Sequence, residues 1–174
     1  MKKIRLFLLG LSSVLIMHSF AQTSEIPRPS LSIGVEGALP VGEFNDSHKF
    51  GIGGSAKFAF PVASNLDLTL GAGYMSYSGK EYFAGIKRRT LNTIPIKAGV
   101  RLRAASGLYF EPQLGYTSFK SKGEDEGAGA FTYAANIGYA LSKGVDLGVR
   151  YEAFSKDEIT YPFIGARLAY SFSL

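Results

Sequence analysis

The chain has 174 residues, 21 of them Gly, with 13% aromatic and 19% charged side chains, and it contains no Cys. That length suits one domain with a real core, and the missing Cys excludes a disulfide framework, a thiol nucleophile, a Cys-ligated metal centre and a lipid on an N-terminal Cys. The formal charge of +5 falls to +2 once Lys2, Lys3 and Arg5 are set aside, so the basic balance does not point to nucleic acid.

Those three cations precede an apolar run from Leu6 to Met17, and Ser19 and Ala21 place small residues at the −3 and −1 positions of a cut before Gln22. This is the pattern of a secretory signal peptide over residues 1–21, followed by one domain over residues 22–174. The run is interrupted by Gly10, Ser12 and Ser13, and it is too short for the roughly 20 residues that span a bilayer as a helix. No later stretch reaches that length either, which leaves a soluble exported protein or a membrane protein built from strands.

From Ser30 onward the apolar residues recur at every second position, the period of a strand. In chain order the apolar phases are carried by Ile33 and Val35; Ile52, Phe58 and Phe60; Leu68, Leu70 and Tyr74; Ile94, Ile96 and Val100; Phe110, Leu114 and Tyr116; Phe131, Tyr133 and Ile137; Leu147, Val149 and Tyr151; and Ile164, Leu168, Tyr170 and Phe172. Eight segments result. Every charge within them falls on the opposite phase: Glu36, Lys57, Asp67, Lys97, Arg101, Arg103, Glu111, Asp146, Arg150, Glu152 and Arg167. A slip of one residue would turn these charges onto the apolar side, where Arg or Lys at a bilayer midplane costs about 2–4 kcal/mol, so the register is strongly specified.

Connections 61–65, 104–107 and 142–144 are short, while 40–49, 79–89, 120–129 and 155–161 read as longer polar loops. Alternation of short turns and longer loops predicts an all-β fold, an eight-stranded antiparallel up-and-down transmembrane β-barrel with both ends in the periplasm. A lipocalin-like soluble barrel would instead show water a polar face rich in Lys, Glu, Asn and Gln. The polar phase here is dominated by Gly and other small residues with balanced charges, which suits a narrow interior. Tyr and Phe gather towards the segment ends as two interfacial girdles. Pro95 and Pro112 each remove a ladder donor and are expected at bulges.

The last segment ends Leu168, Tyr170, Phe172, Leu174 at alternate positions. This ending is similar to the C-terminal assembly signal of bacterial outer-membrane proteins, except that Leu174 stands where Phe is usual. With the leader and the eight segments, the chain resembles the small outer-membrane β-barrel family, which includes OmpX-like, OmpW-like and OmpA-barrel proteins and the porin-family barrel domains. The resemblance implies integral residence in the bacterial outer membrane and recognition of the last strand by the outer-membrane assembly machinery. It rests on pattern along the whole chain and supports a class, not an activity.

Counted from the periplasmic turns, Glu36, Lys97, Glu111, Arg150, Glu152 and Arg167 lie at similar heights, and Glu36 should meet Arg167 where the first and last strands close. With Arg101 they form a predicted lumen charge network, expected to plug an interior that eight strands leave just wide enough for side chains. The expected role is structural or surface-interacting, in a monomer without enzyme activity, cofactor or metal. The same residues would serve a narrow pore or transporter if the lumen were open. A lipid A-modifying enzyme at the rim would have to use His48 with Ser47, Asp46 and Glu43, and adjacent residues in a solvated loop form a poor dyad. Lys87, Arg88 and Arg89 are the one strong cation cluster, placed to pair with lipopolysaccharide phosphates. Glu124, Asp125 and Glu126, flanked by Gly and Lys, read as a solvated loop and lack EF-hand spacing. The Gly-containing stretches at 51–54 and 71–73 have no phosphate-loop Lys and precede no helix, so they do not support a nucleotide site.

Overall fold

A computed structural model of the chain describes residues 28–83, 86–104, 106–123, 126–141 and 144–174. The proposed leader, residues 1–21, and the Glu124–Asp125 pair lie outside the described residues. The elements are β1 (Ser30–Pro40), α1 (Gly42–Ser47), β2 (His48–Ala63), β3 (Leu66–Gly79), β4 (Glu81–Phe83), β5 (Ile86–Lys87), β6 (Leu91–Arg103), β7 (Leu108–Ser121), β8 (Ala128–Ala140), β9 (Val145–Lys156) and β10 (Ile159–Ser173). Eight of the strands close into a barrel in the order β1-β10-β9-β8-β7-β6-β3-β2, and β4 and β5 form a separate two-stranded hairpin. Every barrel pair is antiparallel.

The pairing register fixes the shape. Followed once around the ring, Pro40 leads through Phe163, Glu152, Ala134, Gln113, Gly99, Thr69 and Ala59 to Ser30, ten residues back along β1. Ten steps of about 3.3 Å against eight spacings of about 4.8 Å tilt the strands by about 40°, on a ring of about 8 Å radius. At that tilt the ten steps from Phe50 to Phe60 on β2 stand about 25 Å tall, the height of an outer-membrane apolar band.

Alternation along the strands sorts the side chains between two environments. Six outward residues of this band, Val35, Ile52, Leu70, Ile96, Leu114 and Val149, are 55–63% exposed. The inward ones include Gly, Thr, Ser, Ala and the charged residues, and all the inward charges of the band except Arg103 are buried. Closure removes the two sheet edges that an open eight-stranded sheet would leave unpaired.

Inward glycines make room for rings. Tyr109 lies across Gly138, and a Cβ at Gly138 would run into the Tyr109 hydroxyl and come within 2.7 Å of the Leu147 carbonyl oxygen. Gly138→Val therefore displaces Tyr109 from its bond to Asp146. A loss of about 1–3 kcal/mol of stability is expected, typical of overpacking, and denaturant unfolding monitored by circular dichroism would measure it.

Three local expectations are corrected. Pro95 and Pro112 do not sit at bulges. The β3–β6 ladder lapses between Ala72/Ile96 and Met75/Thr93, beside Pro95, and the β6–β7 ladder lapses between Gly99/Gln113 and Leu102/Phe110, beside Pro112. Neither lapse shifts the register, so each proline simply drops bonds on one side and keeps its partner on the other. Among the described barrel ladders the register shifts are instead at the two ends of β2, between His48 and Gly51 and between Pro61 and Ala63. The loop expected at 155–161 is a tight hairpin: Ile159 pairs with Lys156, and the intervening Asp157 and Glu158 have φ of 49° and 66°. Positive φ at both central residues matches the right-handed twist of the flanking strands. The first outer loop contains the short helix α1, whose Phe44 is buried.

Candidate functional site

The closed ring brings the inward charges of six strands into one network. In its outer layer Arg150 on β9 donates to Glu36 on β1 and to Glu152, each at 2.6 Å. Lys97 on β6 reaches across the lumen to Glu152, and Ser55 on β2 donates to Glu36. In the inner layer Glu111 on β7 accepts from Lys57 at 2.9 Å, Arg101 at 3.0 Å, Thr69 at 2.9 Å and Gln113 at 2.6 Å. Asp146 accepts from the Tyr109 hydroxyl at 2.8 Å and stands 3.9 Å from Arg101. Arg167 joins the layers, 3.5 Å from Glu36 and 3.8 Å from Asp146. Nearer the periplasm Arg103 pairs with Asp67 at 2.9 Å.

Each of these eleven charges has an opposite charge within 4 Å. Such completeness is what makes the arrangement tolerable, because a buried ion costs several kcal/mol unless its partners and hydrogen bonds replace the water. All seven residues of the expected network lie in it. Lys57, Asp146 and Tyr109 belong to it too, and counting height from the turns misses them. A ten-residue stagger lets Lys57, well along β2, face Glu111 near the start of β7.

Above the charges the lumen is apolar, contrary to a polar interior throughout. Phe44 of α1 points down into the mouth against Tyr77, Phe154 and Tyr161, with ring centroids 5.1, 5.8 and 5.5 Å away. Phe154 stacks on Tyr161 at 4.9 Å, and Met75, Leu91 and Phe163 complete the cluster. Arg150 links plug and ions, its guanidinium 5.5 Å from the Phe163 ring centroid. Phe44→Ala empties the centre of this cluster, and a loss of about 3 kcal/mol is expected from large-to-small core series. Thermal melting of the variant in detergent would show it.

His48 is buried, not solvated. The bulge at the start of β2 turns it inward, and the Phe44 ring packs 5.1 Å away. Its Nδ1 is 2.8 Å from Ser47 Oγ, which in turn donates to the Phe44 carbonyl oxygen at 3.1 Å. A hydroxyl has one proton to give. The Ser47 hydroxyl is thus shared between the Phe44 carbonyl oxygen and the His48 ring, inside a packed cluster.

Lys87, Arg88 and Arg89 are exposed at the outer rim on the segment from β5 to β6. The structure adds Lys49 from β2 and Lys122 beyond β7 to the same recess. At the opposite end Leu168, Tyr170, Phe172 and Leu174 all face outward and are exposed, and the Leu174 amide donates to the Pro29 carbonyl oxygen at 2.8 Å. Among the described residues no group of three or more His, Asp or Glu is arranged to hold a metal, and no helix is long and apolar enough to cross a membrane.

A closed eight-stranded barrel with a greasy outer belt and its ions within is an integral protein of the bacterial outer membrane. The chain belongs to the outer membrane protein beta-barrel domain family, whose pattern matches residues 7–172. No curated protein matches the sequence. Among solved structures it is similar to Ail of Yersinia pestis, determined in complex with the heparin analogue sucrose octasulfate, at 16% identity over 84% of this chain and 99% of that one, with a TM-score of 0.59. It is also similar to the N-terminal barrel of Pseudomonas aeruginosa OprF, at 14% identity over 82% and 97% with a TM-score of 0.57. OprG of the same organism gives 10% identity over 85% and 97% and a TM-score of 0.51. These likenesses establish the fold.

Proposed function

We propose that this protein is a non-conducting, non-enzymatic barrel whose role is structural, holding an outer rim in the outer leaflet as a surface for interaction. The observation that carries this reading is the lumen itself. Between the ion-pair layers a cavity of only about 30 Å³ remains, lined by Glu36, Lys57, Lys97, Gln113, Arg150 and Arg167. That is room for about two water molecules. Above it the aromatic plug closes the outer mouth, so a hydrated ion meets two successive barriers.

The interaction partners under this reading are the surrounding lipid and lipopolysaccharide, with Lys87, Arg88 and Arg89 set to meet phosphates. Leu168, Tyr170, Phe172 and Leu174 serve as the signal for the assembly machinery, and the barrel acts as a monomer after loss of residues 1–21. The burial of His48 against Phe44 and the tie of Ser47 to the Phe44 carbonyl oxygen favour a structural role for that pair.

Planar-bilayer recording of the purified protein tests the closed lumen. No steady single-channel openings are expected, from the native chain or from Phe44→Ala, because the ion-pair layers persist beneath the plug. Steady openings of the native protein would overturn the reading in favour of a narrow pore.

A further inference from the structure

The rim cations form a shaped site. The segment carrying Lys87, Arg88 and Arg89 stands as a ridge between two recesses. One, of about 590 Å³, is completed by His48, Ile86 and Ser121; the other, of about 480 Å³, by Lys49, Ser78, Gly79, Thr90 and Lys122. Each is within the size range of small-molecule sites. Among the described residues their walls together present five Lys and Arg side chains and no carboxylate.

Backbone bonds hold the walls in place. The Arg88 amide donates to the Lys80 carbonyl oxygen at 2.8 Å, the Lys80 amide to that of Ser47 at 2.9 Å, and the Lys122 amide to that of Thr90 at 2.8 Å. The cations therefore project from strands and turns tied to one another, which lowers the ordering cost of binding. Ser78 is four residues beyond the girdle residue Tyr74, about 10 Å further from the bilayer centre at the strand tilt. That is headgroup depth and outward.

We propose that the two recesses act as one site for a saccharide bearing two or more phosphate or sulfate monoesters, with one anionic group on each side of the Lys87–Arg89 ridge. Arginine forks and lysine ammonium groups bind such oxyanions by charge-assisted bonds, and the Ser and Thr hydroxyls suit a sugar. Among the described residues the one aromatic ring lining either recess is the His48 imidazole, which is buried against Phe44, so no open stacking platform of a nucleic-acid site is presented. This proposal rests on the reading of the rim as an outer-leaflet surface and extends it from a general lipopolysaccharide contact to a defined two-anion site. The ligand can be borne by a lipid in the same leaflet or arrive free in solution.

The test uses the intact barrel in phosphatidylcholine nanodiscs, titrated with myo-inositol hexakisphosphate and, separately, with orthophosphate. Saturable binding of the hexakisphosphate at one site, about 100-fold tighter than orthophosphate, is expected from two linked anion contacts. Lys87→Gln, Arg88→Gln and Arg89→Gln together should weaken it about tenfold or more. Lys49→Gln with Lys122→Gln should remove most of the preference for the multivalent ligand, and Lys156→Gln should change nothing. In discs containing bisphosphorylated lipid A, competition with the hexakisphosphate identifies the lipid-borne source, and undiminished binding identifies the free one; either supports the site. Equal binding by the ridge variant and the native chain, or no preference over orthophosphate, would overturn it. Heat-modifiable gel mobility establishes that each variant is folded, and single-channel recording remains a separate test of the closed lumen.

Discussion

Replacing Glu111 by Ala lowers the unfolding free energy of the barrel by about 3–5 kcal/mol, the range for removing one partner of a buried ion pair. Glu111 is fully buried and accepts from Lys57, Arg101, Thr69 and Gln113. Its loss leaves the Lys57 ammonium and the Arg101 guanidinium facing each other across a lumen with almost no water to screen them. The charge of the site, more than the bonds lost, sets the size of the effect. Glu111→Leu combined with Lys57→Met and Arg101→Met should restore most of the stability, because apolar groups of similar volume replace buried ions at little net cost. Urea unfolding followed by circular dichroism is the measurement, as the chain has no Trp to report by fluorescence. A change below about 1 kcal/mol for Glu111→Ala would mean that solvent or a counter-ion reaches the site.

Leu70→Arg should cost about 2–4 kcal/mol, while Ser118→Arg should cost about 0–1 kcal/mol. Leu70 projects outward near the middle of β3 and is 58% exposed. In water that exposure would make an arginine harmless. In a bilayer the same position is the midplane, and the guanidinium loses its hydration. Ser118 lies two residues beyond the girdle residue Tyr116 on β7, at interface depth, where the penalty fades. Folding yield into lipid vesicles, titrated with urea, resolves the pair. Equal costs at the two positions would place the outer face in water.

The ring of strands is legible in the sequence because each strand meets two solvents, and alternating residues record them: Ile94, Ile96 and Val100 on one side of β6, Lys97 and Arg101 on the other. What joins Lys57 to Glu111 or Lys97 to Glu152 is not local. These contacts depend on the ten-residue stagger, which emerges only from closure. The aromatic plug escaped for a different reason. Tyr77, Phe119, Phe154, Tyr161 and Phe163 share the inward phase with the charges, and an apolar residue on a polar phase carries no period of its own. It becomes intelligible when α1 supplies Phe44 as their common neighbour. That helix has six residues and no side-chain N-cap bond, so nothing in its local sequence announces it beyond the burial of one ring. The Asp157–Glu158 hairpin was hidden likewise, since neither residue is the Asn-Gly or Asp-Gly pair that usually marks such a turn. The rim site was half visible, as the contiguous Lys87, Arg88 and Arg89; Lys49 and Lys122 come to it from other strands.

Cysteine scanning of β8 interrogates both the outward greasy face and the closed lumen in a chain with no native Cys to interfere. Single Cys replacements from Ala130 to Tyr139, in the barrel reconstituted in vesicles, are exposed to a charged methanethiosulfonate and to a lipid-partitioning maleimide. Positions 131, 133, 135, 137 and 139 should react with the lipid-partitioning reagent alone, and 130, 132, 134 and 136 with neither. Reaction of the even set with the charged reagent would reveal a water path through the barrel, and its reaction at the odd set would put the apolar face in water.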